Sequence, residues 1–197
     1  MPNVISDSQS AFVPNRLITD NTIVAFKVLH RMRNKRIGKI GQMAIKLDIS
    51  KAYDQVEWEF LRHIMLILAI GAQWVQLAME TVTTTSYFVI VNGEPKGFVT
   101  PSRVIRQGNP LSPYLFLLCA EGLSSLIRKV VASQSIHGIL SCTNGVCISH
   151  ILFANDNFIF CHVQNGLSSL CINYHLLFAD DAQDIFMLFR WLMDKLS

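Results

Sequence analysis

One short acidic signature occurs twice in this chain, once with an amide and once with two carboxylates. Residues 150–156 read His-Ile-Leu-Phe-Ala-Asn-Asp, and residues 175–181 read His-Leu-Leu-Phe-Ala-Asp-Asp. The difference that bears on chemistry is Asn155 against Asp180. Two adjacent carboxylates at a turn between strands are typical of a site for hard divalent cations, which prefer oxygen ligands and negative charge. The amide keeps an oxygen at that position but removes the charge.

Asp48 is a further carboxylate, and it ends a segment that alternates apolar and polar residues. In residues 43–49 the odd positions are Met, Ile, Leu and Ile, whereas Ala44, Lys46 and Asp48 share the opposite face. The pattern predicts a half-buried strand from whose end Asp48 projects, away from the core. Two short strands are predicted at 148–153 and 158–162, and residues 154–157 form the turn between them because Asn and Asp suit turns.

Helices and hairpins must position these carboxylates. Apolar residues at helical spacing predict a helix over 20–34 with a stripe of Ile23, Phe26, Leu29 and Met32, and a second with a stripe of Val56, Phe60, Ile64 and Ile67 or Leu68. Further helices are predicted over 74–82, over 185–196, and from Pro110 and Pro113 through Leu115, Leu118, Leu123, Leu126 and Val130. Asn92-Gly93 predicts a hairpin between a strand at 86–91 and a return strand near Phe98. The expected class is α/β (α+β) with antiparallel hairpins.

Composition limits the class of protein. The chain has 197 residues, of which 51% are hydrophobic and 16% charged, against about 25% charged in typical domains. This favours a piece of a larger protein that exposes former interior surface, although an unusually core-rich domain remains open.

No segment approaches the ~20 apolar residues of a membrane helix, and the start lacks a secretory signal. Five cysteines without a CxxC pair predict reduced thiols in an intracellular protein, in the nucleus or the cytoplasm. Cys142 and Cys147 are interpreted as core residues.

The positive charge is concentrated in one stretch. The net charge is +3, yet seven basic residues and no acid lie between Asp20 and Asp48. These are Lys27, Arg31, Arg33, Lys35, Arg36, Lys39 and Lys46. Two interpretations stay open, a phosphate-binding cluster and a solvated helix end.

Four segments, in order, resemble the reverse transcriptase domain of plant LINE-type (non-LTR) retrotransposons. Residues 9–21 (Gln-Ser-Ala-Phe-Val-Pro-Asn-Arg-Leu-Ile-Thr-Asp-Asn) are similar to the fingers segment of that family, and residues 46–58 (Lys-Leu-Asp-Ile-Ser-Lys-Ala-Tyr-Asp-Gln-Val-Glu-Trp) to its first palm motif. Residues 106–116 (Arg-Gln-Gly-Asn-Pro-Leu-Ser-Pro-Tyr-Leu-Phe) match the next motif, and residues 153–156 stand where the family has Phe-Ala-Asp-Asp. The resemblance covers about residues 3–163.

The resemblance implies a palm-like antiparallel sheet with packed helices and part of the fingers, without a thumb. The implied domains are a partial reverse transcriptase domain at 1–163 (fingers remnant about 1–42, palm about 43–163) and a divergent tail at 164–197 with the duplicated segment. The implied activity is RNA-directed DNA synthesis from dNTPs on an RNA template and a DNA primer, with no membrane partner.

The implied site uses two Mg²⁺ ions, which clamp the primer hydroxyl and the triphosphate. Asp48 and Asp156 correspond to the metal ligands, and Asn155 to a catalytic position that has degenerated. Tyr53 corresponds to the residue that excludes the 2′-hydroxyl, while Arg106, Gln107 and Gly108 correspond to contacts with nucleotide and template. The basic residues Arg31, Arg33, Lys35, Arg36 and Lys39 become part of a nucleic-acid path.

Departures from the family pattern put the activity in doubt. Asn155 replaces an acid that bridges both metals, and Asn109 replaces a second acid. Asn15 and Val104 stand where the family usually has glycine, so that Val104 is strained if the φ angle there is positive. Phe153 lies 46 residues after Gln107, as the family requires, whereas Phe178 lies 71 residues after it. The broken copy is therefore expected in the palm, and use of Asp180 and Asp181 is expected to require displacement of the first hairpin. Impaired catalysis, a non-catalytic nucleic-acid-binding remnant and a relic that does not fold alone all remain open.

Overall fold

The computed structural model describes residues 4–35, 41–48, 51–142, 145–154 and 156–162, together with the backbone of residues 178–179. Helices and strands are mixed along the chain, as the composition and periodicity predict. The helices are α1 (Ile18–Asn34), the 3₁₀ turn Ala52–Gln55, α2 (Trp58–Ile67), α3 (Ala72–Thr83) and α4 (Ser112–Ala132). The strands are β1 (Gln42–Asp48), β2 (Tyr87–Val91), β3 (Glu94–Val99), β4 (Ile139–Leu140), β5 (Cys147–Ile148), β6 (His150–Phe153), β7 (Asp156–His162) and β8 (Phe178–Ala179). The predicted helix over 185–196 lies outside the described residues.

A mixed sheet of order β6-β7-β1-β8 carries the predicted carboxylates. β6 and β7 form the predicted antiparallel hairpin, and β7 pairs antiparallel with β1 along its whole length. The turn is shorter than the predicted 154–157, because Asp156 and Asn157 pair with β6 and belong to β7. β8 pairs parallel with the other edge of β1, opposite Lys46 and Leu47. Because a strand has two edges, the second signature reaches the sheet while the first hairpin keeps its place. The expectation that use of Asp180 and Asp181 requires displacement of the first hairpin stays a prediction, since both residues lie outside the described part of the chain.

Both faces of β1 are covered along much of its length. Ile45 and Leu47 are buried on one face, as the alternation predicts. On the other face Ala44 packs beside Phe160 against Ala25 and Val28 of α1. On the expected solvent side, Ala44 thus packs against a core layer, and Lys46 and Asp48 at the end of the strand are half-exposed.

The predicted apolar stripes of two helices are wrong in phase for most of their members, although Met32 packs against the core and Val56, just before α2, is buried. α1 buries Asn21, Ala25 and Val28, whereas Ile23, Phe26 and Leu29 are exposed. α2 buries Leu61 and Met65, whereas Phe60 and Ile67 are exposed. Each helix carries apolar residues on more than one face, so spacing alone does not select the buried one.

The remaining elements follow the sequence closely, with one exception. The β2–β3 hairpin turns at Asn92-Gly93, where both residues have positive φ, and α4 begins just after Pro110. Cys119 and Cys161 are buried, but Cys142 and Cys147 are exposed thiols, so their interpretation as core residues is wrong. Cys142 lies in the connection between the two-residue strands β4 and β5, and Cys147 is the first residue of β5. Within the described part of the chain, no helix is both long and apolar enough to cross a membrane.

The chain forms two compact units. One comprises residues 1–50 and 120–197, and the other comprises residues 51–119. The first unit contains the four-stranded sheet, and the second contains α2, α3, the β2–β3 hairpin and the start of α4. The sequence-based boundaries near residues 42 and 163 stay a prediction.

Candidate functional site

Asp48 and Asp156 lie directly opposite each other at the end of β1 and β7. Residues opposite in an antiparallel pair point to the same face of the sheet, within reach of one another. Their side chains are 44% and 38% exposed, so both are partly accessible from solvent, although Oδ1 of Asp156 is itself buried. The pairing brings together two acids that are far apart in sequence, on one accessible edge.

Lys46 joins the two carboxylates. Its Nζ lies 2.8 Å from Oδ1 of Asp156 and 3.7 Å from Oδ2 of Asp48. The hydrogen bond to Asp156, together with the negative charges of both acids, raises the pKa of Lys46. The lysine therefore stays protonated and neutralises part of the charge that a cation would otherwise meet. Sequence reasoning placed Lys46 in the basic stretch, although its position two residues before Asp48 on an alternating strand already indicated a shared face.

The segment at residues 9–21 supports the turn that precedes Asp156. Gln9 forms an isolated parallel bridge with Leu152, and its Oε1 accepts hydrogen bonds from the backbone N–H of Ala11 at 3.0 Å and of Ala154 at 3.4 Å. Asn21 donates from Nδ2 to the Leu152 carbonyl at 2.6 Å. Gln9 is buried, and Asn21 nearly so. These two amides hold the end of β6, a function that the motif match alone did not reveal.

Arg16 holds the same segment together. Its guanidinium donates to the backbone carbonyls of Ile5, Ser6 and Gln9. A planar fork of donors suits several carbonyls at once, so Arg16 organises the loop that carries Gln9. Asn15 next to it has a positive φ of 64°, which asparagine tolerates better than most residues.

In the second unit, Tyr53 lies in the 3₁₀ turn after β1. Its ring is half-buried and contacts Phe116, with ring centroids 5.4 Å apart, and burial raises the pKa of its hydroxyl. The Tyr53 carbonyl accepts a hydrogen bond from the N–H of Ile105 at 2.8 Å. Tyr53 is thus fixed to the chain just before Arg106.

Arg106, Gln107 and Gly108 are exposed in the loop that leads into α4. Gly108 has a φ of 85°, which explains a glycine there. Asn109 accepts a hydrogen bond from the N–H of Leu111 through its side-chain oxygen, at 2.9 Å. An aspartate would accept the same bond, so the replacement at 109 preserves the local turn.

Val104 is strained, as the comparison with the family pattern predicts. Its φ is 104°, a conformation that is a genuine outlier for a β-branched residue. The backbone is held there from both sides, because the N–H donates to the Val56 carbonyl at 3.1 Å and the carbonyl accepts from Nε1 of Trp58 at 2.9 Å. The surrounding structure therefore imposes the angle on whatever residue stands at 104.

The predicted nucleic-acid-binding residues divide into three groups. Arg31 and Lys35 line a groove beside α1. Arg33 is exposed on the same helix but does not line the groove. Arg36 and Lys39 lie outside the described residues, as do Asn155, Asp180 and Asp181.

The donor set fits a hard divalent cation in kind. Asp48 and Asp156 offer anionic oxygens, which Mg²⁺ prefers. Among the described residues no group of three or more His, Cys, Asp or Glu side chains is arranged to hold a metal. Two carboxylates and a neighbouring lysine make a site of reduced negative charge.

Comparisons with known proteins agree on the type of domain. Residues 1–183 match the family described as reverse transcriptase (RNA-dependent DNA polymerase). An uncharacterized mitochondrial protein of Arabidopsis thaliana is 54% identical over 67 residues, which are 34% of this chain and 55% of that protein. The transposon TX1 uncharacterized 149 kDa protein of Xenopus laevis is 31% identical over 129 residues, or 66% of this chain and 10% of that protein.

A solved structure is similar in fold. The chain matches apo telomerase from Candida tropicalis with a TM-score of 0.51 and 13% sequence identity, over 83% of this chain and 31% of that chain. A polyprotein of the retrotransposable element R2DM of Drosophila melanogaster is 26% identical over 82% of this chain, which is 14% of that polyprotein. The chain thus spans between a tenth and about half of these relatives.

Proposed function

Since the chain belongs to the reverse transcriptase (RNA-dependent DNA polymerase) family, we propose that it adds deoxynucleotides to a DNA primer on an RNA template, at a strongly reduced rate. Its relatives include polyproteins of non-LTR retrotransposable elements, and an RNA template and dNTPs are both available inside the cell. The observation that carries the proposal is the pairing of Asp48 with Asp156 at one accessible strand end. Two-metal nucleotidyl transfer needs anionic oxygens that hold the metal ions beside the reacting groups, and these two strand-end carboxylates offer oxygens of that kind.

Asp48 and Asp156 would hold Mg²⁺. When bound, the metal favours deprotonation of the primer hydroxyl and neutralises charge on the triphosphate. Lys46, which already contacts both acids, must release one of them for a cation to gain full access. The lysine thereby weakens metal binding and keeps the two carboxylates in register.

The second unit would bind the nucleotide. The backbone of Tyr53 is held by a hydrogen bond from Ile105, and its ring is half-buried. A ring held in this way is suited to exclude a 2′-hydroxyl by contact. Arg106, Gln107 and Gly108 are accessible in the adjoining loop. An exposed guanidinium and amide suit a phosphate and a base edge, respectively.

Asn155 limits the rate. It precedes Asp156 in the sequence, at the position where the family has a further aspartate, and an amide does not supply that negative charge. Metal clamping is worth several kcal/mol, and about 1.4 kcal/mol corresponds to a factor of ten in rate. Loss of this charge is therefore expected to lower turnover by at least two orders of magnitude.

Primer extension on an RNA template tests the proposal. We expect weak Mg²⁺-dependent extension by the chain, background extension by D48N, and at least about a hundredfold gain for N155D. Asp54→Asn serves as the control, since it removes an acid outside the β1–β7 pair. If N155D and D48N both remain at background, the polymerase proposal is wrong.

A second candidate is nucleic-acid binding without catalysis. The grouping of Arg31 and Lys35 in one groove favours it. Arg33, Arg36 and Lys39 belong to the same basic stretch of the sequence. Affinity for an RNA–DNA hybrid that falls steeply with salt, in a chain that does not extend a primer even as N155D, distinguishes this candidate from the first.

A further inference from the structure

A groove of about 1190 Å³ lies beside α1, within the first unit. The C-terminal half of α1 forms one wall, and residues 136–142 form another. Gln42 and His162, which pair across β1 and β7, line its floor. The six residue steps from Gln42 to Asp48 span about 20 Å of strand, so the groove lies at the opposite end of β1 from the two carboxylates.

The charge of this groove is uniformly positive or neutral. Lys27, Arg31 and Lys35 line it, and no described lining residue carries a carboxylate. Lys27 and Arg31 are four residues apart on the helix, a rise of about 6 Å, which is close to the separation of successive phosphates in an extended strand. Lys35 follows directly after the last helical residue. Cations at a helix C-terminus also complement the helix dipole, so charge alone does not specify a ligand.

An aromatic platform adjoins the cations. The rings of Phe26 and His30 are stacked, with centroids 6.1 Å apart and an interplanar angle of 24°. Phe26 is 68% exposed and still lines the groove. An exposed aromatic face beside a positively charged track is the combination that single-stranded nucleic acids use, through base stacking and phosphate contacts.

We propose that this groove binds a single-stranded nucleic-acid segment, with phosphates on Lys27, Arg31 and Lys35 and a base on Phe26. The segment is distinct from the templating nucleotides, because the groove lies a full strand length from Asp48 and Asp156. It holds a flanking part of the nucleic acid and increases the residence time of the whole molecule on the protein. The inference does not depend on polymerase activity.

Fluorescence anisotropy with an unpaired 20-nucleotide RNA and the same DNA sequence tests it, using the full chain without Mg²⁺ or dNTPs. We expect K27A/R31A to reduce the slope of log affinity against log salt by about 1.4, since each phosphate contact contributes about 0.7 for single strands. The matched control R62A/K96A removes two cations from exposed sites in the other unit and should leave the slope unchanged.

Phe26→Leu tests the stacking role, and we expect it to weaken binding at least about fivefold with an unchanged salt slope. Equal slopes for K27A/R31A and R62A/K96A, or unchanged affinity of Phe26→Leu, overturn the proposal. So does a preference for duplex DNA over both single strands, because stacking requires unpaired bases. A preference for either RNA or DNA single strands supports it and identifies the natural strand, and equal binding of the two supports it without selecting a strand. D48N should bind as the unmodified chain does, so failure of primer extension leaves this test intact.

Discussion

At the scale of single residues, the positions that differ from the family's usual residues do not all have the same consequence. Asn109 keeps the hydrogen bond that an aspartate would make at the start of α4. Asn15 adopts a positive φ that asparagine tolerates. Val104 adopts a positive φ that valine does not tolerate, and Asn155 removes a charge. Only the last two are expected to lower stability or activity.

Val104→Gly should stabilise the chain relative to Val104→Ala. Both variants lose the two γ-methyl groups of valine, and glycine loses Cβ as well, but only glycine relieves the strain of a φ of 104°, which is worth about 1–3 kcal/mol. Thermal unfolding of the two variants, side by side, measures the difference. A glycine variant that unfolds at a lower temperature than the alanine variant contradicts the interpretation.

At the scale of elements, the buried side of a helix decides what each apolar residue contributes. α2 has leucines at 61 and 66, and the first is fully buried whereas the second is 45% exposed. α1 shows the same division, with Val28 buried and Phe26 exposed. On α1 the exposed Phe26 lines the basic groove, where we propose that its ring stacks on a base.

Leu61→Ala and Leu66→Ala test the phase of α2 within one helix. We expect Leu61→Ala to lower the free energy of unfolding by about 2–5 kcal/mol, as buried leucines do, and Leu66→Ala to lower it by less than about 1 kcal/mol. Chemical denaturation of both variants gives the comparison. Equal losses would contradict the burial of Leu61 and the exposure of Leu66 on α2.

At the scale of the whole molecule, stability depends on a buried histidine that links elements far apart in sequence. His150 on β6 contacts Oγ of Ser124 on α4 through Nε2 at 2.9 Å, and Oγ of Ser149 through Nδ1 at 2.9 Å. Burial, together with the positive charge of Arg128, lowers the pKa of His150 to about 4. The imidazole is therefore neutral in the folded chain at pH 7.

Acid should destabilise the chain through His150. In the unfolded chain its pKa is the ordinary 6.5, so the unfolded state binds more protons between pH 6.5 and about 4. The contribution is complete above pH 6.5 and is lost as the pH falls towards 4, up to about 3 kcal/mol. Denaturation curves at several pH values measure this slope.

His150→Gln is the control for that experiment, because an amide retains a hydrogen bond to Ser124 and does not titrate. The difference between the unmodified chain and the variant should shrink as the pH falls from 6.5 to 4. Parallel curves for the two proteins would contradict the assignment to His150.

The sequence by itself determined the family, the order of elements, the β6–β7 hairpin and the expected strain at Val104, because these follow from local spacing and from long motif strings. Only the tertiary structure decided which face of α1 and α2 is buried, since both helices carry apolar residues on several faces. It also decided the contact of Lys46 with Asp156, the support of the turn by Gln9, and the second edge of β1 taken by β8. These depend on pairing between segments more than a hundred residues apart, which periodicity along the chain does not encode.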